Sequence, residues 1–169
     1  CYDNNLTSLY LNNAPVYRLW CENNNLDTLG LSGATALSDL RCYNNDLKYL
    51  NLTPNTSLYD LDCDDNELEY LNLDNLTNFR YLECSNNKLI SLDLSSNINL
   101  RKLRCDSNQL TSLDLRNGWS TNYNGSYPNV YLLNDLNLTN NPQLYCIDVD
   151  NPSFSDSNWY NSIDPWATF

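Results

Sequence analysis

The chain has 169 residues, with 9 basic and 21 acidic side chains and a net charge of −12. That balance argues against nucleic acid, whose phosphates are met by Lys and Arg, and against anionic membrane surfaces. There is no His, which removes the usual general base and the usual zinc ligand, and no Met even at position 1, which reads as a piece of a longer protein.

From the N-terminus the chain repeats itself. Cys stands at 1, 21, 42, 63, 84 and 105, in steps of 20 and then 21 residues. Three residues after each Cys comes Asn4, Asn24, Asn45, Asn66, Asn87 and Asn108. Leu follows five, eight and ten residues after each Cys, from Leu6, Leu9 and Leu11 to Leu110, Leu113 and Leu115. Two before is Leu19, Leu40, Leu61, Leu82 or Leu103, and five before is Val16, Leu37, Leu58, Phe79 or Leu100. The unit is LxxLxCxxNxLxxLxL plus five residues. Apolar and polar residues alternate in LxxLxC, which is strand period. One strand per unit, stacked in parallel, predicts a solenoid. A buried Asn amide is expected to satisfy backbone groups where the chain leaves the strand. The second half, LxxLxL, is too short for a normal helix and is expected to be extended or 3₁₀.

This unit resembles the leucine-rich repeat family, whose core is LxxLxLxxN(C)xL. Its 21-residue length is similar to the short class in bacterial secreted and cell-surface proteins. The resemblance implies a β-rich solenoid, a parallel ladder on its concave face, an irregular convex side and few helices. It also implies a non-enzymatic module that binds protein partners through the concave face, outside the cell.

The repeats are expected to run over 1–115 of a single domain. An inserted loop follows at about 116–132, rich in Gly, Asn and aromatics. Within it Trp119, Tyr123 and Tyr127 are candidate ligand contacts, or pack on the solenoid's flank. The repeat resumes at Leu133, Leu136, Leu138 and Asn141, and the last repeats end at 149. The tail 150–169 carries Phe154, Trp159, Ile163, Trp166 and Phe169 and reads as an aromatic cap over the open end. No segment approaches the roughly 18 to 20 apolar residues of a membrane span.

Strand positions flanking Leu and Cys face outward in columns. One column reads Trp20, Arg41, Asp62, Glu83, Arg104, Asn137; a second reads Arg18, Asp39, Asp60, Tyr81, Lys102, Asp135. The third, just after Cys, reads Tyr2, Glu22, Tyr43, Asp64, Ser85, Asp106, Thr139. Cross-strand ion pairs are expected for Arg18–Asp39, Arg41–Asp62 and Glu83–Arg104. Asp60, Asp62 and Asp64 remain as an acidic excess on one strand, suited to a basic partner, to a hard cation such as Ca²⁺, or to water alone. Trp20, Tyr43, Tyr59 and Tyr81, with Tyr17 at the edge, suit a protein interface or a sugar equally. The candidate ligand-binding residues are therefore Trp20, Arg41, Tyr43, Asp60, Asp62, Asp64, Tyr81 and Glu83. No catalytic residue and no cofactor is assigned. Asp62 and Glu83 make a poor glycosidase pair on an open ladder beside Arg residues, and no nucleophile elbow, P-loop, HExxH or CxxC occurs. The partner is a protein or, alternatively, a polysaccharide; a structural spacer in an adhesin is the third reading. The cysteines from Cys21 to Cys105 are expected as a buried column of reduced thiols, leaving Cys146 as the one candidate for a bridge to a residue outside this chain.

Overall fold

A computed structural model describes residues 1–116, 133 and 135–169. The strands are three residues long and centred on a Leu, except the last, which is the pair Ile147–Asp148. In chain order these are β1 (Ser8–Tyr10), β2 (Arg18–Trp20), β3 (Thr28–Gly30), β4 (Asp39–Arg41), β5 (Asp60–Asp62), β6 (Tyr81–Glu83), β7 (Ser91–Asp93), β8 (Lys102–Arg104), β9 (Ser112–Asp114), β10 (Asp135–Asn137) and β11 (Ile147–Asp148). Six of them, in the order β10-β8-β6-β5-β4-β2, form one parallel sheet. Its register aligns Leu19, Leu40, Leu61, Leu82, Leu103 and Leu136, one from each turn. The chain is thus a leucine-rich-repeat-like solenoid, as the repeat predicts. The second half of the unit is a strand at β1, β3, β7, β9 and β11 and is neither strand nor 3₁₀ at 48–52 and 69–73. It forms two separate parallel sheets, β1-β3 and β11-β9-β7, on the opposite flank.

The core is the set of recurring apolar columns. Leu40, Leu61, Leu82 and Leu103 are fully buried, as are Leu26, Leu47, Leu68, Leu89 and Leu110. Each buried Leu contributes about 1.5–3 kcal/mol of transfer free energy. Cys21, Cys42, Cys63, Cys84 and Cys105 have no exposure and are free thiols, the column expected from their spacing. Cys1 and Cys146 are exposed. The thiols of Cys21 and Cys63 donate to the carbonyls of Arg41 and Glu83 one turn on, at 3.5 and 3.4 Å. Burial pushes the Cys21 thiol up to about 12 and raises those of Cys42 and Cys63 well above the ordinary thiol range, so these three are held protonated.

Behind the thiols runs an amide ladder. Asn66 is representative: its Nδ2 donates to the carbonyls of Cys42, Cys63 and Asp64 at 3.0, 3.2 and 3.0 Å, while its Oδ1 accepts from the Leu47 amide at 3.0 Å. Asn24, Asn45, Asn87, Asn108 and Asn141 repeat this pattern, each tying its own turn to the preceding one. The residue before each ladder Asn is left-handed, with φ from 52° at Asp65 to 58° at Asn140. Asn or Asp fills most of these positions because a short polar side chain tolerates that conformation; Ser107 is the exception.

The tail closes one end through helix α1 (Pro152–Asn158) and a 3₁₀ turn at Tyr160–Ser162. Trp159 is buried and meets Phe169 edge-on at 6.0 Å. Asp164 accepts the backbone amides of Asn140 and Asn141 at 2.9 and 2.8 Å, satisfying the last turn of the ladder. Trp166 departs from the expected cap: it is 47% exposed. Trp119, Tyr123 and Tyr127, and the side chain of Phe154, lie outside what is described.

Candidate functional site: the outward face of the six-stranded ladder

Alternation places every second residue of the strands on this face, since Leu and Cys take the inward positions. The observed register puts Trp20, Arg41, Asp62, Glu83, Arg104 and Asn137 in one column and Arg18, Asp39, Asp60, Tyr81, Lys102 and Asp135 in another. Both columns match the sequence reading. Their pairings differ from it in two places.

Arg18 pairs with Asp39 at 3.7 Å, as expected. Arg41 does not bridge to Asp62. Its guanidinium lies over the Trp20 ring, 4.8 Å from the centroid, because an aromatic face directly across the rung offers a weakly hydrated cation a partner of its own. Glu83 bonds Lys102 at 2.6 Å rather than Arg104, and Arg104 bonds Asp135 at 2.9 Å. Both are diagonal contacts, which long side chains reach as easily as the direct neighbour.

These pairings leave Asp60, Asp62 and Asp64 with no ion-pair partner among the described residues. All three are half-buried, Asp60 and Asp62 on β5 and Asp64 two residues beyond its end. Burial raises the Asp60 carboxyl, with Asp39 adding to it. Burial likewise pushes Asp62 up to about 6 and Asp64, beside Asp62, up to about 7. Backbone amides of Asp64 and Ser85 donate to these two carboxylates and only partly offset the effect. Both groups hold their protons more tightly in the fold than in an unfolded chain. Their contribution therefore makes the fold less stable as pH rises from about 4 to about 7, levelling above that.

Aromatic rings border the patch. Tyr59 and Tyr81 meet edge-on at 5.3 Å, and Arg80 lies over Tyr59 at 5.2 Å. Two shallow depressions share Asp60: one is lined by Tyr81, Glu83 and Lys102, the other by Arg18, Asp39 and Tyr59 among others. Tyr43 stands in the third column between Glu22 and Asp64; burial and then Glu22 raise its hydroxyl. Tyr17 is exposed at the edge. All eight candidate residues thus lie on one face, with Trp20 and Arg41 joined as a stacked pair.

Sequence reasoning missed Glu22, which is 8% exposed with Oε2 lacking a hydrogen-bond partner among the described residues. It also missed the chain in which Ser85 donates to Asp106 at 2.7 Å and Asn137 donates to the same oxygen at 2.9 Å. The signal was the third column itself, where Asp106 falls between Ser85 and Thr139. Among the described residues no three His, Cys, Asp or Glu side chains, the calcium candidate Asp60, Asp62 and Asp64 included, are grouped closely enough to hold a metal ion as they stand. No helix among the described residues is long and apolar enough to cross a membrane.

No family model matches the chain, and no curated protein does. Among solved structures, the functional domain of InlJ from Listeria monocytogenes, described as including a cysteine ladder, is 24% identical, with 88% of this chain and 47% of that one covered and a TM-score of 0.41. The chain spans about half the length of that structure, and the superposition is too loose to carry a property from one to the other.

Proposed function

We propose that this chain is a non-enzymatic recognition module of a secreted or surface protein, and that it binds a protein partner through the outward face of the six-stranded ladder. The observation that carries this reading is the uncompensated acidic rung Asp60, Asp62 and Asp64, framed by Tyr59, Tyr81 and the Trp20–Arg41 stack. Half-buried carboxylates with no direct ion-pair partner are costly even with Arg41 nearby, and a cationic partner segment relieves that cost as it binds. Tyr and Trp beside them supply the large, rigid contacts that anchor interfaces. The extracellular setting rests on the resemblance of the 21-residue unit to bacterial secreted and surface repeats.

The chemistry sets a sign for pH. A cationic segment binds the ionised carboxylates, so affinity falls as pH drops through about 7 and then about 6, where Asp64 and Asp62 take up protons. The test is capture of partners from the producing cell's surroundings with the wild-type chain, against a variant carrying Trp20→Ala and Tyr81→Ala. Both residues lie on the outward face, so the variant keeps its fold. The expected result is a captured protein lost at least tenfold in the variant and released between pH 7.5 and 5.5. Equal capture by both chains contradicts the assignment of this face.

A further inference from the structure

The opposite flank carries a second surface of different character. Its rungs follow the same LxLx pattern, yet pairing stops in the middle: β1 pairs with β3 and β7 with β9, and nothing between them is a strand. Among the described residues no backbone hydrogen bond joins 48–52 to 69–73. The carbonyls of Leu52 and Leu73 accept from the turns that follow, while the backbone groups of 48–51 and 69–72 enter no backbone–backbone hydrogen bond among the described residues.

The same two rungs carry Tyr49 and Tyr70, 72% and 60% exposed and one turn apart. They line a shallow depression with Asn51, Thr53 and Asn72. The Oδ1 atoms of Asn51 and Asn72 accept the amides of Thr53 and Asp74 at 3.0 and 2.9 Å, which leaves their exposed Nδ2 groups as donors. The lining holds no charged group, in a chain of net charge −12. Of the charges nearby, Lys48 and Lys88 both bridge to Glu67, at 3.9 and 3.2 Å, while Glu69 and Asp74 are exposed outside the depression.

We propose that the rungs Tyr49–Thr53 and Tyr70–Asn72 are a binding site for an uncharged polysaccharide. Two rings presented at successive rungs offer flat faces to the C–H edges of successive pyranose units. The amide donors and the unused backbone groups match hydroxyls, which both give and accept hydrogen bonds. A charged ligand finds no counter-charge here, and a polyanion is repelled by the chain as a whole. This site is separate from the acidic ladder face and stands independently of the protein-binding reading.

Affinity electrophoresis through gels holding mixed-linkage β-glucan, galactomannan, dextran or polygalacturonate tests it. At least one of the three neutral polymers is expected to retard the protein. Tyr49→Ala with Tyr70→Ala is expected to weaken that retardation at least tenfold, and Asn51→Asp with Asn72→Asp to weaken it without removing either ring. Trp20→Ala with Tyr81→Ala, on the other face, is expected to leave it unchanged, as is the thermal midpoint of every variant. Retardation by none of the neutral polymers, equal retardation of the double tyrosine variant, or stronger retardation by polygalacturonate overturns the proposal.

Discussion

The two flanks are built from the same alternation and the same rung, yet one is a continuous six-stranded sheet and the other breaks in the middle. The difference lies behind the strands. On the ladder side each buried Asn uses both ends of its amide, as Asn66 does with the Leu47 amide and the carbonyls of Cys42, Cys63 and Asp64. On the other side the corresponding amides are only Asn55 and Asn97. Each donates to two carbonyls of the preceding turn, and each leaves a buried Oδ1 unpartnered among the described residues. Close approach there depends on size instead. Where β1 and β3 pair, the second turn has Gly33 and Ala34; a Cβ on Gly33 would lie 1.8 Å from the Asn13 nitrogen. The unpaired rungs, 48–52 and 69–73, are followed by Pro54–Asn55 and Asn75–Leu76, both bulkier, and β7, followed by Ser96–Asn97, pairs with β9 but not with the rung before it. An amide that ties consecutive turns holds a ladder whatever its surface carries; a ladder held by small residues opens where they are replaced.

The largest expected effect comes from removing one tie. Asn66→Leu keeps volume but strands the Leu47 amide and takes one of two donors from the carbonyls of Cys42 and Cys63, which keep Asn45 and Asn87, and is expected to cost about 2–4 kcal/mol. Asn97→Leu, which loses two bonds and removes an already unpartnered oxygen, is expected to cost about 1–2 kcal/mol. Urea unfolding of the two variants measures the gap, and equal losses would break the comparison. A smaller effect is expected at the turn: Gly33→Asn forces the first two turns apart and costs about 1–3 kcal/mol, as overpacking does. Amide exchange at β3 should quicken in that variant while β4 and β5 stay protected; unchanged exchange would mean that small residues are not what allows the pairing.

Most of the fold was legible because the core has one answer per column: Leu40, Cys42 and Asn45 recur, so register, burial and direction follow from counting. Membership of the outward face was legible for the same reason. The pairings on it were not, because Arg41 could reach Asp62 or Trp20, and Glu83 could reach Lys102 or Arg104, at similar cost. Exposed pairs differ by at most about 1 kcal/mol, too little to be read from spacing. The open rungs at Tyr49 and Tyr70 escaped notice because LxLx is unchanged there; the cause sits in the turn residues that follow. Trp166 was expected in the cap because it is aromatic, but Trp159 and Phe169 already fill the end of the core.

The central claim is that the ladder face holds carboxylates awaiting a cationic partner. Carbon-13 titration of the Asp62 and Asp64 carboxyls, alone and with an octalysine peptide, tests it directly. Alone, the midpoints are expected at about 6 and about 7. With the peptide bound, both are expected to fall toward ordinary carboxylate values as the lysines supply the missing charge. Midpoints near 4 in the free protein, or midpoints unmoved by the peptide, would contradict it.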